Sequence, residues 1–279
     1  MRGGAGDQVV AVVARPARRR SGVAGPVLLV LLVVVMVGVG RLTEPAAHGR
    51  GEIVLEAAPS AGTHPFTASV ATGPAPASHT ARTAAGHAAP GPAGATATVI
   101  TTARGSQPGL YGGTRNAASC DPQRLVQDLQ RTPARAAAWT EVEGITPADI
   151  PSFVGGLTGV VLRGDTRVTD HGFIVDHATV FQAVLQAGTR VMVDHFGVPR
   201  VRCAGGSPLA PPVAVMITPR YVGAGWPGFE PAGMSVVTAS SQPVNALVLV
   251  DGATGARFNR PVSTGGQADT DAPAAAAAS

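Results

Sequence analysis

An α+β domain over residues 109–262 is what the sequence predicts, with about three short helices followed by a mainly antiparallel sheet. Two observations carry that expectation. Helix-start signals cluster between residues 121 and 149, and strand-like apolar runs follow from residue 160 onward. Helices first and strands later argue α+β with a mainly antiparallel sheet.

The helix starts are local chemistry. Asp121-Pro122 pairs a capping carboxylate with proline at the first helical position, and Leu125, Val126 and Leu129 follow at helical spacing. Thr132-Pro133 repeats the device and opens a helix through Ala136, Trp139 and Val142 that stops at Gly144. Thr146-Pro147-Ala148-Asp149 is a third start, with Asp149 where a capping box wants an acid.

Strands are expected at Val160–Leu162, Arg190–Asp194 and Val198–Arg202, with His195-Phe196-Gly197 turning the chain between the last two. Met234–Thr238 and Ala246–Val250 read as two more, the second ended by Asp251-Gly252. Phe181–Leu185 fits either strand or helix.

Flanking regions have a different composition. Residues 23–40 read VAGPVLLVLLVVVMVGVG, without a charge. About 18–20 such residues at helical rise just cross a hydrocarbon core. Arg15, Arg18, Arg19 and Arg20 lie before this run and only Arg41 directly after it. The positive-inside rule then places a basic stub, residues 1–22, in the cytoplasm and everything beyond the run outside. A cleaved signal peptide is the rival reading, although Glu44 and Pro45 disturb the small-x-small cleavage pattern. Either way the remainder is exported. Residues 41–108 are rich in Ala, Gly, Pro, Thr and Ser and read as a disordered tether. His48, His64, His79 and His87 are scattered along it as solvated loop histidines. Residues 263–279 read as a disordered tail.

The chain contains no lysine, and its net charge is +4. Residues 1–41 carry six arginines against Asp7, so the basic excess sits beside the membrane run and the rest is close to neutral. A nucleic-acid partner for the outer domain is therefore disfavoured.

Cys120 and Cys203 are the only cysteines. Outside the cytoplasm such a pair reads as a disulfide. The alternative is a nucleophilic Cys120 at a helix N-terminus, which would also require an orienting histidine.

Catalytic signatures are absent from the sequence, and no cofactor is implied. Asp165, Asp170, His171, Asp176 and His177, with Asp194 and His195 further on, supply carboxylate and imidazole groups of the kind that bind divalent metals. They lack helical His-x-x-x-His spacing, and the sequence places them where strands turn. Gly223-Ala-Gly225-Trp-Pro-Gly228 matches G-x-G-x-x-G, but Pro227 and Pro231 deny the helix that a nucleotide fingerprint needs. Trp226-Pro227-Gly228-Phe229 is instead a proline-rigid loop with two aromatics, suited either to capping the core or to binding a ligand. Tyr111, Trp226 and Phe229 form the candidate binding surface.

Several strings resemble a family of actinobacterial envelope proteins classed as a domain of unknown function. They are Gly109–Asn116 leading to Cys120-Asp121, Val160–Val168, Phe181–Thr189, Gly197–Cys203, Trp226–Phe229 and Phe258–Val262, with Pro65-Phe66-Thr67 and Ser69-Val70 upstream. The resemblance implies a membrane-anchored or exported domain, in some members associated with signalling proteins. It supplies no catalytic residues. The expected function is a non-enzymatic envelope module, held by residues 23–40, that binds a ligand, wall polymer or partner protein. An extracytoplasmic hydrolase using Asp/His groups, or a scaffold without ligand, is the alternative.

Overall fold

A computed structural model describes residues 51–73, 101–214 and 218–272. Its helices begin where the Asp-Pro and Thr-Pro signals fall. The Asp121 carboxylate accepts the Arg124 amide at 2.9 Å and opens α1 (Pro122–Gln130). Thr132 precedes α2 (Pro133–Glu143), which ends as Gly144 turns left-handed at φ 69°. A Thr146/Asp149 capping box starts a 3-10 turn that runs into α3 (Ile150–Gly155). Leu125, Leu129, Ala136, Trp139, Ile150 and Val154 are buried together, against Met192 and Val201 of the sheet and the adjoining Cys203. The Trp139 indole N–H donates to the Gly206 carbonyl at 3.0 Å, so this large ring is buried without an orphaned donor.

Most of the fold is sheet. In chain order the strands are β1 (Glu52–Glu56), β2 (Thr101–Arg104), β3 (Tyr111–Gly113), β4 (Thr158–Leu162), β5 (Thr166–Ile174), β6 (His177–Leu185) and β7 (Arg190–Val193). They continue as β8 (Pro199–Arg202), β9 (Ser207–Ala210), β10 (Arg220–Gly223), β11 (Ser235–Thr238), β12 (Ala246–Asp251), β13 (Arg257–Pro261) and β14 (Thr270–Asp271). The order is β10-β1-β6-β5-β9-β8-β7-β4-β3-β12-β13-β14, with β11 joining β5 to β2.

This architecture corrects the expected helices-then-antiparallel-sheet plan. Strands precede the helices, and the sheet is mixed. β1 runs parallel to both β6 and β10, β11 runs parallel to β2 and β5, and β12 runs parallel to β3. Parallel partners are joined by long connections, not by hairpins, so they leave no turn signal in the sequence. Val54 pairs with Ala183, and Glu52 with Arg220.

The sheet bends over itself. Val54, Val168, Phe181, Ala183 and Leu185 from one half share a core with Val160, Val191, Val193, Leu247, Leu249 and Phe258 from the other. Strand alternation sorts the faces of β7: Val191 and Val193 enter this core, while Met192 faces the helices. On the outer face of the first half, Ile53, Leu55, Val184 and Met234 form a third cluster.

Residues 51–73, placed in the disordered tether by composition, are instead part of the fold. β1 lies between two strands, and Phe66 and Val70 are buried. The Val70 amide donates to Cys203 O, and the Asp121 amide to Val70 O, both at 2.8 Å. Cys120 and Cys203 form a disulfide with Cα atoms 6.0 Å apart. It joins the residue before the α1 cap to the residue after β8, and this segment laces across it. Closing a loop of that length stabilises by about 4–5 kcal/mol in the chain-entropy model.

Residues 263–272, assigned to the tail, also belong to the fold. Asp269 is fully buried against Arg260, whose guanidinium also donates to the carbonyls of Thr114, Ala117 and Gly159. The apolar run at 23–40, the basic stub, residues 74–100 and residues 273–279 lie outside the described residues. Among the described residues no helix is long and apolar enough to cross a membrane.

Candidate functional site

Tyr111 does not belong to a surface. It is 2% exposed, and its hydroxyl donates to Gly197 O at 2.6 Å inside the core. Burial raises its phenol pKa, with the Asp194 charge adding to the effect. Its acceptor lies 86 residues away, so nothing local to Leu110-Tyr111-Gly112 marks it as buried.

Trp226 and Phe229 stand elsewhere, at the margin of the first half-sheet, and Tyr221 joins them. The Phe229 amide donates to Trp226 O at 3.1 Å, closing the turn that brings both rings to one side. Trp226 and Phe229 meet edge to face at 5.3 Å between centroids, as do Tyr221 and Phe229 at 5.2 Å. Tyr221 pairs with Ile53 in register, so the ring rises from the same face as Ile53, Leu55 and Val184. All three rings are half-buried on this apolar floor.

Asp165 fixes the arrangement. One carboxylate oxygen accepts the Trp226 indole N–H at 3.0 Å, and the other accepts the Ala187 amide at 2.8 Å. Its carbonyl accepts the Ser235 amide at 2.9 Å. The Trp226 ring is thereby tied to the ends of β6 and β11.

On the same sheet face, two residues beyond Asp165, lies Arg167. It pairs in register with Val184 and is 5% exposed. Its Nη2 donates to Gln182 Oε1 at 3.0 Å and Val213 O at 3.3 Å, while its Nε has no acceptor. Burial lowers the Arg167 pKa, and the Tyr221 phenol opposes that shift. Reciprocally, burial raises the Tyr221 pKa and the guanidinium offsets it. Gln182 also donates to Thr169 and accepts from the Val213 amide.

The Asp/His groups singled out for metal chemistry are dispersed. Asp170 lies mid-strand in β5, not in a turn, and faces Arg202 at 3.3 Å. Arg202 also pairs with Glu56 at 3.1 Å and donates to Ala61 O. Burial pushes Asp170 up to about 6 against the pull of Arg202. His171 points its Nδ1 at Pro208 O, 2.9 Å away, and burial holds its pKa down. Asp176 and His177 form the exposed tip of the β5–β6 hairpin. Asp194 caps the Phe196 and Val198 amides in the β7–β8 turn, where Gly197 takes φ 73°. Among the described residues no group of three or more His, Cys, Asp or Glu side chains is gathered to hold a metal.

A second concavity, of about 260 Å³, opens beside the disulfide and the start of α1. Ser119, Asp121, Leu157, Met192, Ser263 and Gln267 line it. Its acid is occupied by helix capping. The aromatic face therefore has the more distinctive chemistry.

Tyr221, Gln182 and Arg167 escape the sequence reading. Only the alternation of Arg167 with buried Thr166 and Val168 hints at a strand bearing a charged residue on its second face.

Comparison with known proteins places residues 101–263 within a family model described as "Domain of unknown function (DUF6777)". No curated protein and no solved structure matches the chain. The match spans more than half of the 279 residues, and the chain belongs to the DUF6777 domain family.

Proposed function

We propose that this chain is a membrane-anchored envelope module that binds its ligand on the face carrying Tyr221, Trp226 and Phe229. The apolar run at 23–40 with its basic flank supports the anchor. The Cys120–Cys203 disulfide supports an oxidising compartment for the domain.

One observation carries the binding reading. Three aromatic rings gather at the sheet margin, half-buried, with the Trp226 indole held by Asp165. Rings held in place offer contact area to a flat ligand such as a sugar at little entropic cost.

The test is a binding screen of the full chain in detergent against wall saccharides, comparing wild type with Trp226→Ala and Phe229→Ala. Binding lost by at least ten-fold in a variant that melts within a few degrees of wild type is the expected result. Unfolding by either substitution, or affinity unchanged in both, would make the rings core closure and remove the reading.

A further inference from the structure

Arg167 is a buried cation without a counter-ion, and that sets it apart. Among the described residues the other buried arginines are neutralised. Arg202 has Glu56 and Asp170, and Arg260 has Asp269. Arg167 forms no ion pair with any described carboxylate, and its two side-chain hydrogen bonds end on a neutral carboxamide and a main-chain carbonyl. Burying an arginine without an anion is costly. Asp165, although only two residues away, is committed to Trp226 and Ala187.

The position of this cation is as informative as its isolation. It lies on the face that carries Tyr221, because Arg167 pairs in register with Val184 and Tyr221 with Ile53, both on the outer side of the sheet. The guanidinium thus shares the outer sheet face with the aromatic cluster, bonded to Gln182, which in turn donates to Thr169. Guanidinium groups match oxyanions in shape and donate to them through parallel N–H bonds.

We propose that Arg167 is the anion subsite of this face, and that the ligand is a sugar-like ring bearing an oxyanion, carboxylate or phosphate. This rests on the reading that Tyr221, Trp226 and Phe229 bind the ring. The oxyanion meets Arg167 while the ring lies against the aromatics. No bond is made or broken.

Calorimetric titration of the full chain at fixed ionic strength tests this with four probes: glucose, glucuronate, glucose 6-phosphate and inorganic phosphate. The expected result is that glucuronate or glucose 6-phosphate binds at least ten-fold more tightly than glucose, and that Arg167→Met abolishes the difference. Which of the two binds more tightly identifies the oxyanion as carboxylate or phosphate. The unliganded Met variant should melt no lower than wild type, because the change removes an uncompensated charge.

Equal affinity for glucose and both charged sugars overturns the anion subsite and leaves the aromatic reading standing. Phosphate alone binding as tightly as glucose 6-phosphate, with loss in the Met variant, keeps the subsite and overturns the ring contact. Binding by none of the four overturns both. The wild-type comparison of glucose with glucuronate needs no variant, so a misfolded Arg167→Met would not protect the proposal. A marked fall in the variant's melting temperature would make Arg167 a structural residue.

Discussion

Arg202 lies inside the bent sheet and Arg167 on its outer face; both are almost wholly removed from solvent. Around Arg202 the fold converges: Glu56 and the Ala61 carbonyl from the 51–73 segment and Asp170 from β5 reach it from two distant parts of the chain. Around Arg167 the described residues supply a carboxamide and a main-chain carbonyl, with no carboxylate in an ion pair. A buried charge satisfied by its own fold holds elements together. A buried charge left without its counter-ion is a cost that folding alone does not explain, which directs attention to a ligand.

The sharpest way to break this contrast is to remove the partners of Arg202. A chain beginning at residue 101, where the family match starts, lacks β1, Phe66, Val70 and Glu56. It should fail to fold cooperatively, as read by the loss of a sigmoidal urea transition. Adding a peptide of residues 51–73 should restore it. A stable truncated domain would show that this segment is only draped on the sheet.

Arg202→Met comes next. Stranding two carboxylates in the interior should cost about 3–5 kcal/mol in urea unfolding near neutral pH. A loss under about 1 kcal/mol would place Arg202 with the replaceable ion pairs.

Glu143 sharpens the comparison from a third direction. It is held by Arg200, which also faces Asp194, yet burial pushes it up to about 7. The folded protein thus holds this proton more tightly than the unfolded chain. Its contribution is full below about 4.5 and is lost as pH rises through about 7. Glu143→Gln should flatten the pH dependence of stability in that window by on the order of 2 kcal/mol. The slope that remains belongs partly to Asp170, also raised. Identical pH profiles for wild type and variant would refute the assignment.

Arg167→Met should show the smallest stability effect, with opposite sign to Arg202→Met. A gain of about 1 kcal/mol in the unliganded protein is expected. A loss comparable with that of Arg202→Met would erase the distinction between the two arginines.

What the sequence disclosed follows the range of the forces involved. Asp121-Pro122 and Thr146–Asp149 announce their helices because side-chain capping acts within one turn, and Pro133 announces the second helix although Thr132 makes no side-chain cap bond. The β7–β8 turn is legible for the same reason, through Asp194 and Gly197. The disulfide is legible from cysteine count and expected compartment. β1 is not, because five residues in a Gly/Ala/Pro-rich stretch become a strand only through β6 and β10. β5 was masked by Asp170 and His171, which resemble turn residues until Arg202 and Pro208 O supply their partners. At the candidate site, the proline-rigid loop made Trp226 and Phe229 conspicuous. Tyr221 and Arg167 joined them only when the sheet brought β10 and β5 to one face.

The seat of β1 also has a mechanical consequence. Tension on the residues before 51 enters the fold along the axis of Glu52–Glu56, a strand flanked by ladders on both sides. Such a load is shared across many hydrogen bonds and an internal ion pair at Glu56 before any hairpin can unzip. Resistance to forced unfolding is governed by the unfolding rate, so this strand acts as the grip by which the domain would be held under strain.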